Sequence, residues 1–437
     1  MTGIYIGIDD TDSSEGMCTT YLAVLLIEKL GLDLIGYPRL VRLNPNIPWK
    51  TRGNGAICLK FGKGTGSKFL VGNIKGKKVY AYSSSKQVLI TSNLLDSVKE
   101  LVEKYAIFRD PNTNPGIVIS SKRVDEKIYW SAVRSVLNIG EVEKKISDTI
   151  YQKYKNGRGI IGASAAIAWR ARHKTHELIT YLNEKQWLSP RTIKTEEVIE
   201  LDKKLTHTFN NYDYENKHIS IKPNSKTPVL YGVRGTDPRE LLKSLKILTA
   251  EFESFLIYET NQGTDDHIVP EKIGHIKEYE SVMLTGTVTS LPKIIKGGHM
   301  LFELTDNTGT ITCAAYEPTK EFREIIKNLV IGDELKLFGG KRKEESTINI
   351  EKIKILKLRK IEKNVPPLCP VCHKKMDSIG KDKGYRCKKC GTKSFDFKKI
   401  ELSRPLKPGY YEVPVLARRH LSKPLKLIAQ SHSLKSR

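Results

Sequence analysis

The chain has 437 residues, 39% of them apolar and 28% charged, enough to bury several cores and to suggest three or four domains of roughly 60 to 150 residues each. Its 74 Lys and Arg against 49 Asp and Glu leave a formal charge of +25, which favours a polyanionic partner, nucleic acid first, through phosphate neutralisation. No run approaches the roughly 18 apolar residues of a membrane span, and the first residues lack the basic flank and apolar stretch of a secretory signal, so the expected location is cytoplasmic with no membrane partner.

From Met1 to about Ile150, strand-like runs (IYIGI, AICLKF, KKVYAYS, GIVISS) mix with amphipathic helical ones (CTTYLAVLLIEKLG, LLDSVKELVEKYA, IYWSAVRSVL), the pattern of an α/β or α+β domain. A second mixed segment runs from Tyr151 to about Pro270 and predicts a small sheet with helices on one face. From Tyr279 to about Leu358 the pattern is strand after strand, with DNTG marking a hairpin and the one helix-like stretch, EFREIIKNLV, between the third and fourth strands. That order predicts an OB-fold, whose exposed sheet commonly binds single-stranded nucleic acid. The positive excess is uneven, with a large share between Lys352 and Lys393. From Ser403 onward the tail carries one acid, Glu412, and predicts either a disordered basic extension or a segment that orders on RNA.

Of seven cysteines, four form two CxxC pairs, Cys369 with Cys372 and Cys387 with Cys390. Thiolates two residues apart chelate one ion from a tight turn, and two such turns complete a closed tetrahedral Zn²⁺ site of structural type. So short a segment has little apolar core, so metal binding supplies most of its folding free energy. His373 beside Cys372 reads as a surface residue.

GIDDTDSSEGMCTT falls between the strand-like IYIGI and a helical run that Gly31 can stop, so its acids lie where free amides attract anions. Carboxylates repel a triphosphate unless a cation intervenes. Asp9, Asp10 and Asp12 holding Mg²⁺ would turn the loop into a nucleotide site. The plainer alternative is an Asx-turn loop with helix caps. There is no P-loop motif, and Thr19 and Thr20 stand near the helix start, to cap it or to face phosphate. Farther on, LNPNIPWKTRGNGA offers Lys50 and Arg52 beside glycines that let backbone approach a phosphate, although singly it is an ordinary turn. NGRGIIGASAAIAWR allows either a phosphate approach or tight helix packing. NQGTDDH, after a strand-like FLIYET, could bind metal, serve as acid and base, grip a cation, or be a polar interdomain loop. His207 and His218 have no spaced partners and receive no role.

Taken in that order, GIDDTDSSEGMCTT, RLNPNIPWKTRGNGA, GRGIIGA, NQGTDDH and the CxxC pairs resemble, over the whole chain, the archaeal tRNA(Ile) 2-agmatinylcytidine synthetase family. The resemblance implies an α+β multidomain chain: an N-terminal α/β kinase-like ATP-binding domain over 1–150, a ferredoxin-like domain over 151–272, an OB-fold β-barrel over 275–360, a zinc ribbon over 364–398 and a basic segment over 399–437. It also implies ATP-dependent attachment of agmatine to C2 of the wobble cytidine in the CAU anticodon of isoleucine tRNA, through a phosphorylated cytidine, so that AUA is read as isoleucine. ATP would end as AMP and two phosphates, with ATP, Mg²⁺ and Zn²⁺ as cofactors and no protein partner implied. Family members phosphorylate the threonine of GMCTT, which falls on Thr19. On this reading Asp9, Asp10 and Asp12 carry metal and phosphoryl transfer, and Lys50, Arg52, Gly53, Asn54 and Gly55 line the nucleotide pocket. Asp265 and Asp266 receive the cationic agmatine, and His267 is a possible base. The rival from another class is a non-catalytic nucleic-acid-binding platform, and a third reading is a small-molecule kinase that releases ADP.

Overall fold

In the computed structural model, which describes residues 3–51, 53–86, 88, 93–343 and 346–433, the run IYIGID forms β1 (Ile4–Asp9), buried along its whole length. A loop leads to α1 (Thr19–Leu30), which ends, as its sequence predicts, at Gly31 in the left-handed region (φ 59°). There follow β2 (Asp33–Ile35), β3 (Arg39–Arg42), the long β4 (Gly55–Ile74) and β5 (Lys77–Lys86), then α2 (Leu94–Tyr105), β6 (Gly116–Ser120), α3 (Glu126–Arg134), α4 (Ile139–Lys145), β7 (Ile150–Lys153) and α5 (Gly159–Ala168). The second half contributes β8 (Thr175–Tyr181), α6 (Thr195–Lys204), the short β9 (Thr208–Phe209), β10 (Tyr212–Asp213) and β11 (His218–Ile219), β12 (Val229–Gly235), α7 (Pro238–Ile247) and β13 (Ser254–Thr260).

These two halves share one eleven-stranded sheet of order β7-β6-β1-β4-β3-β13-β8-β12-β9, with β2 and β5 joined alongside β4. β13 is the seam: it runs parallel to β3 (Glu259 opposite Arg39) and antiparallel to the far end of β4 (Ser254 opposite Ile74) and to β8. Alternation along β1 sends Ile4, Ile6 and Ile8 into a core with Leu22 and Leu26 of α1 and Val98 and Val102 of α2. Tyr5 faces the other way, into a core with α3 and α5. α5 lies close to the sheet because the strands beneath it carry glycine. A Cβ on Gly7 would sit 2.2 Å from the Ala163 carbonyl oxygen, and one on Gly116 2.1 Å from Gly159. In the second half α6 and α7 cover one face, packing Val198, Leu201 and Leu241 on Leu178, Val233 and Ile257.

The third unit comprises β14 (Ile268–Pro270), β15 (Ser281–Val288), β16 (Lys293–Ile295), β17 (His299–Asp306), β18 (Gly309–Ala315), α8 (Phe322–Lys327), β19 (Glu334–Lys341) and β20 (Thr347–Lys357). Five of its strands close a barrel: β15 pairs with β17 and β19, β17 with β18, β18 in parallel with β20, and β20 with β19. The helix falls between the third and fourth barrel strands, where EFREIIKNLV predicts it. A small ribbon with strands 377–378, 385–386 and 393–394 follows.

The C-terminal segment differs from the expected basic tail. Its strand Gly409–Glu412 adds to β20, Leu406 and Val413 enter the barrel core, and α9 (Leu425–Ser433) follows. Lys352, the start of the expected basic run, is fully buried: its ammonium pairs with Asp265 at 2.6 Å and donates to the Lys423 carbonyl. Among the described residues no helix is long and apolar enough to cross a membrane.

Candidate active site

β1 delivers Asp9 at its C-terminal end, and the loop that follows is shaped by the 110–114 segment. The Asp110 carboxylate accepts from Ser13 Oγ (2.7 Å), Ser14 N (3.0 Å) and Ser14 Oγ (2.9 Å). Asn114 N donates to the Asp10 carbonyl, and Thr113 Oγ1 to that of Asp12 at 2.8 Å. Asp10 itself takes the left-handed conformation (φ 59°), tolerable for an aspartate. Asp9, Asp10 and Asp12 line a cleft of about 50 Å³ with Trp49, Lys50, Asn54, Arg158 and Gly162. The Asp9 carboxylate sits against α5, where a Cβ on Gly162 would meet its Oδ2 at 1.8 Å, so only glycine fits.

Burial, and then the neighbouring Asp10, pushes Asp9 well above the usual carboxylate range. Burial and the Asp12 charge push Asp10 up to about 7, against the opposing pull of Asn114 and Lys155. Like charges held together out of water are what a bound cation relieves. Lys50, which donates to the Pro45 carbonyl, is brought down to about 8, chiefly by burial and then by Arg419 and Arg342. The Arg158 guanidinium lies 4.4 Å over the Trp49 ring at the mouth.

Asp12, Asn54 and Gly55 also line a second cavity of about 360 Å³, which adds Thr19, Arg42, Glu177, Arg234, His218 and His420. Thr19 is buried and accepts from Thr11 Oγ1 at 3.1 Å. The next carbonyl, Thr20, is gripped by the hydroxyls of Tyr181 (3.3 Å) and Tyr258 (2.8 Å). Glu177 pairs with Arg234 at 3.0 Å and Arg42 at 3.8 Å.

The fold thus gathers Asp9, Asp10, Asp12, Lys50, Asn54 and Gly55 around one cleft and Asp12, Thr19, Gly53, Asn54 and Gly55 around the other. Arg52 lies outside the described residues. Asp265, Asp266 and His267, expected to receive agmatine, line neither of these two cavities. Asp265 accepts from Lys352 and from Lys423 N (2.7 Å), Asp266 from the Tyr129 hydroxyl (2.5 Å), and fully buried His267 meets Glu351 at 3.1 Å. Asp265 and His267 thus fasten the end of the sheet half to the barrel, and Asp266 ties the same stretch to α3. Sequence reasoning missed Arg42, Arg158, Glu177, Arg234, His218 and His420. Glu177 offered a signal, as an acid inside the apolar strand THELITY. His420 offered none, because its place depends on the chain returning from the barrel.

In the ribbon the four cysteine sulfurs converge within 4.8 Å of one another, with Cys369–Cys390 at 3.4 Å and Cys372–Cys387 at 3.3 Å, close to the spacing of a tetrahedral Zn–thiolate set. Among the described residues this is the one group of three or more such ligands so gathered. We expect one tightly bound zinc per chain, lost in Cys369→Ser or Cys387→Ser by elemental analysis; a zinc-free wild-type protein would contradict this.

A cleft crowded with carboxylates, a five-stranded barrel, a four-cysteine ribbon and a strong positive charge define an enzyme that acts on a nucleic acid. Family models agree in chain order: the TiaS TCKD domain matches residues 5–158, the TiaS FLD domain 157–267 and the TiaS C-terminal zinc ribbon domain 366–406. The isoleucine-tRNA 2-agmatinylcytidine synthetase TiaS of Methanocaldococcus jannaschii is 43% identical over 98% of this chain and 99% of its own. That of Archaeoglobus fulgidus is 40% identical over 97% of each. A crystal structure of TiaS in complex with its isoleucine tRNA and ATP matches with a TM-score of 0.82 at 38% identity, and one with the same tRNA, AMPCPP and agmatine with 0.80 at 36%, each covering 97% of both chains. The chain belongs to the TiaS family of isoleucine-tRNA 2-agmatinylcytidine synthetases.

Proposed function

We propose that this protein uses ATP to join agmatine to C2 of the wobble cytidine of a CAU-anticodon isoleucine tRNA, through a phosphorylated cytidine, with AMP and two phosphates as the other products. The observation that carries this reading is the pair of cavities meeting at Asp12, Asn54 and Gly55, which puts a phosphate-handling cleft against a chamber large enough for an acceptor. The family's solved complexes with ATP, and with AMPCPP and agmatine, support it.

The chemistry needs an activated C2, because the cytosine O2 is a poor leaving group until it is phosphorylated. Asp9, Asp10 and Asp12 would hold Mg²⁺, whose chemistry is to neutralise charge on the transferred phosphoryl group. The raised proton affinities of Asp9 and Asp10 fit a pair of acids that a cation stabilises. Lys50 and Arg158 supply positive charge to the nucleotide, and the glycines of 53–55 leave the backbone bare beside it. Thr19 stands on the chamber wall as the hydroxyl that accepts phosphate in self-phosphorylation. Agmatine carries two cations, and the acids facing the chamber are Asp12 and Glu177, which replace Asp265 and Asp266 as its candidate partners. The barrel's strand pairing and helix position are those of an OB-fold, and with the zinc ribbon it would hold the tRNA. Kinase-like and ferredoxin-like describe the two parts of the shared sheet, and the cytoplasm is the compartment that holds tRNA and suits seven cysteines free of disulfides.

Incubation with labelled ATP, agmatine and a CAU-anticodon tRNA transcript should yield AMP and an agmatine-bearing nucleoside. Intact ATP despite tight tRNA binding, or ADP formed without need of tRNA, would overturn the reading.

A further inference from the structure

The returning C-terminal segment places one imidazole, His420, on the wall of the chamber described above, with its surface open to that space. Its orientation follows from the groups behind it. Gln262 is held in one sense: its amide nitrogen donates to the Glu177 carboxylate, and its Oε1 accepts from Arg234 Nε at 3.0 Å. The same Oε1 lies 3.0 Å from His420 Nδ1. An amide oxygen only accepts, so Nδ1 carries the hydrogen and the lone pair of a neutral ring resides on Nε2. Nε2 lies beside Gly53, where an added Cβ would stand only 3.0 Å from it and 3.0 Å from Arg42 Nη1, so no side chain fits at this position next to the ring. The backbone is tied as well, because the His420 carbonyl accepts from Gly263 N at 2.8 Å.

The charged groups around the ring come from four directions: Arg42 of β3, Arg234 of β12, Lys50 of the loop after β3, and Glu177 of β8 acting through Gln262. Arg42 first, then the enclosing walls, then Arg234 and Lys50 hold the imidazole well below its ordinary value, so it is neutral at physiological pH.

We infer that His420 is a catalytic residue of the amine-transfer half-reaction, whose Nε2 takes the proton released when the agmatine nitrogen bonds to C2. The inference rests on the proposed function and adds to it. The agmatine ammonium first loses a proton to solvent; the neutral primary amine then attacks C2 of the phosphorylated cytidine, the C–N bond forms, the C2–O bond breaks, and phosphate departs with the bonding pair. The proton shed by the new C–N nitrogen passes to Nε2. A weak base suffices because a cationic nitrogen attached to an electron-poor ring carbon is far more acidic than an alkylammonium ion. The surrounding arginines then favour rapid return of the proton to solvent or to the departing phosphate. Glu177 and Gln262 are positioning residues that fix the tautomer.

The test is His420→Asn, whose amide nitrogen can still donate to Gln262 Oε1 but which has no Nε2. Agmatinylated nucleoside formation at saturating substrates should fall about 10²- to 10⁴-fold. ATP-dependent labelling of the tRNA should persist and its phosphorylated form accumulate, agmatine and ATP affinities should stay within a few-fold of wild type, and added imidazole should restore part of the rate. Gln262→Leu, which removes the tautomer lock, should lower the same step and leave tRNA labelling in place. A wild-type rate in His420→Asn, loss of tRNA labelling along with transfer, or a defect that imidazole leaves unchanged would each overturn the assignment. A wild-type protein that forms no agmatinylated nucleoside would refute the proposed function instead.

Discussion

Asp10→Asn is expected to cut nucleoside formation by about 10³-fold while raising the melting temperature at pH 7.5 by about 2 to 4 °C. The opposite signs come from one cause. In the unfolded chain the Asp10 carboxyl ionises near its ordinary value, whereas in the folded protein burial and Asp12 raise it to about 7. Between those two values the unfolded chain gives up a proton that the folded protein keeps, so stability contributed by this group is present in acid and lost as pH rises toward 7. At neutral pH the loop therefore holds a charge at the expense of the fold, as sites that bind cations do. Asparagine removes the repulsion and also the ligand. Melting curves from pH 4 to 8, with and without Mg²⁺, check both parts. The variant's curve should be flatter across that range, and added Mg²⁺ should stabilise the wild type more than the variant. An active or destabilised variant would show that the acids play some other part.

Truncation after Pro414 is expected to abolish ligation and destabilise the protein by about 3 to 5 kcal/mol, rather than merely to weaken tRNA binding. The deleted residues include Val415, Leu416, Arg418 and His420 of the chamber wall. They also include Arg419, which pairs with buried Glu351 at 3.2 Å and donates to Asn46 at 2.6 Å. Glu351 is buried, which opposes ionisation, yet His267 and then Arg419 bring it down to about 2. That pairing stabilises the intact protein above about pH 4.5 and is lost as pH falls toward 2, so the truncated form should show a weaker dependence of stability on pH in this window. Thermal melts and single-turnover ligation measure the effect. A truncated protein that stays folded and fully active at high tRNA concentration would restore the view of this segment as an RNA-ordered tail.

Much of the plan was legible because its signals are local. A strand, an acidic loop and a helix stopped by Gly31 sit within a few turns of one another, so periodicity and turn chemistry locate Asp9, Asp10, Asp12 and Thr19 at a strand-to-helix junction. The barrel strands are short and evenly punctuated, and two CxxC turns fix a metal site by spacing alone. What stayed hidden depends on partners far along the chain. Asp265 and His267 carry chemistry-bearing side chains, but Lys352 and Glu351 from the barrel claim them. Lys352 itself counts as surface charge in any composition, yet one carboxylate and one carbonyl bury it. Up to Pro424 the C-terminal segment shows little periodicity because it folds there as a strand added to β20 and a strap over the cavity; only the short α9 that follows is helical.

The seam at β13 also limits how substrates can enter. Because backbone hydrogen bonds run unbroken from β4 and β3 into β13 and β8, the floor beneath both cavities cannot part like a clamshell without tearing a ladder of strands. Any movement that admits a bulky nucleic acid is therefore expected at the rim, in the strap that carries His420 or the barrel to which it is tied, rather than in the floor.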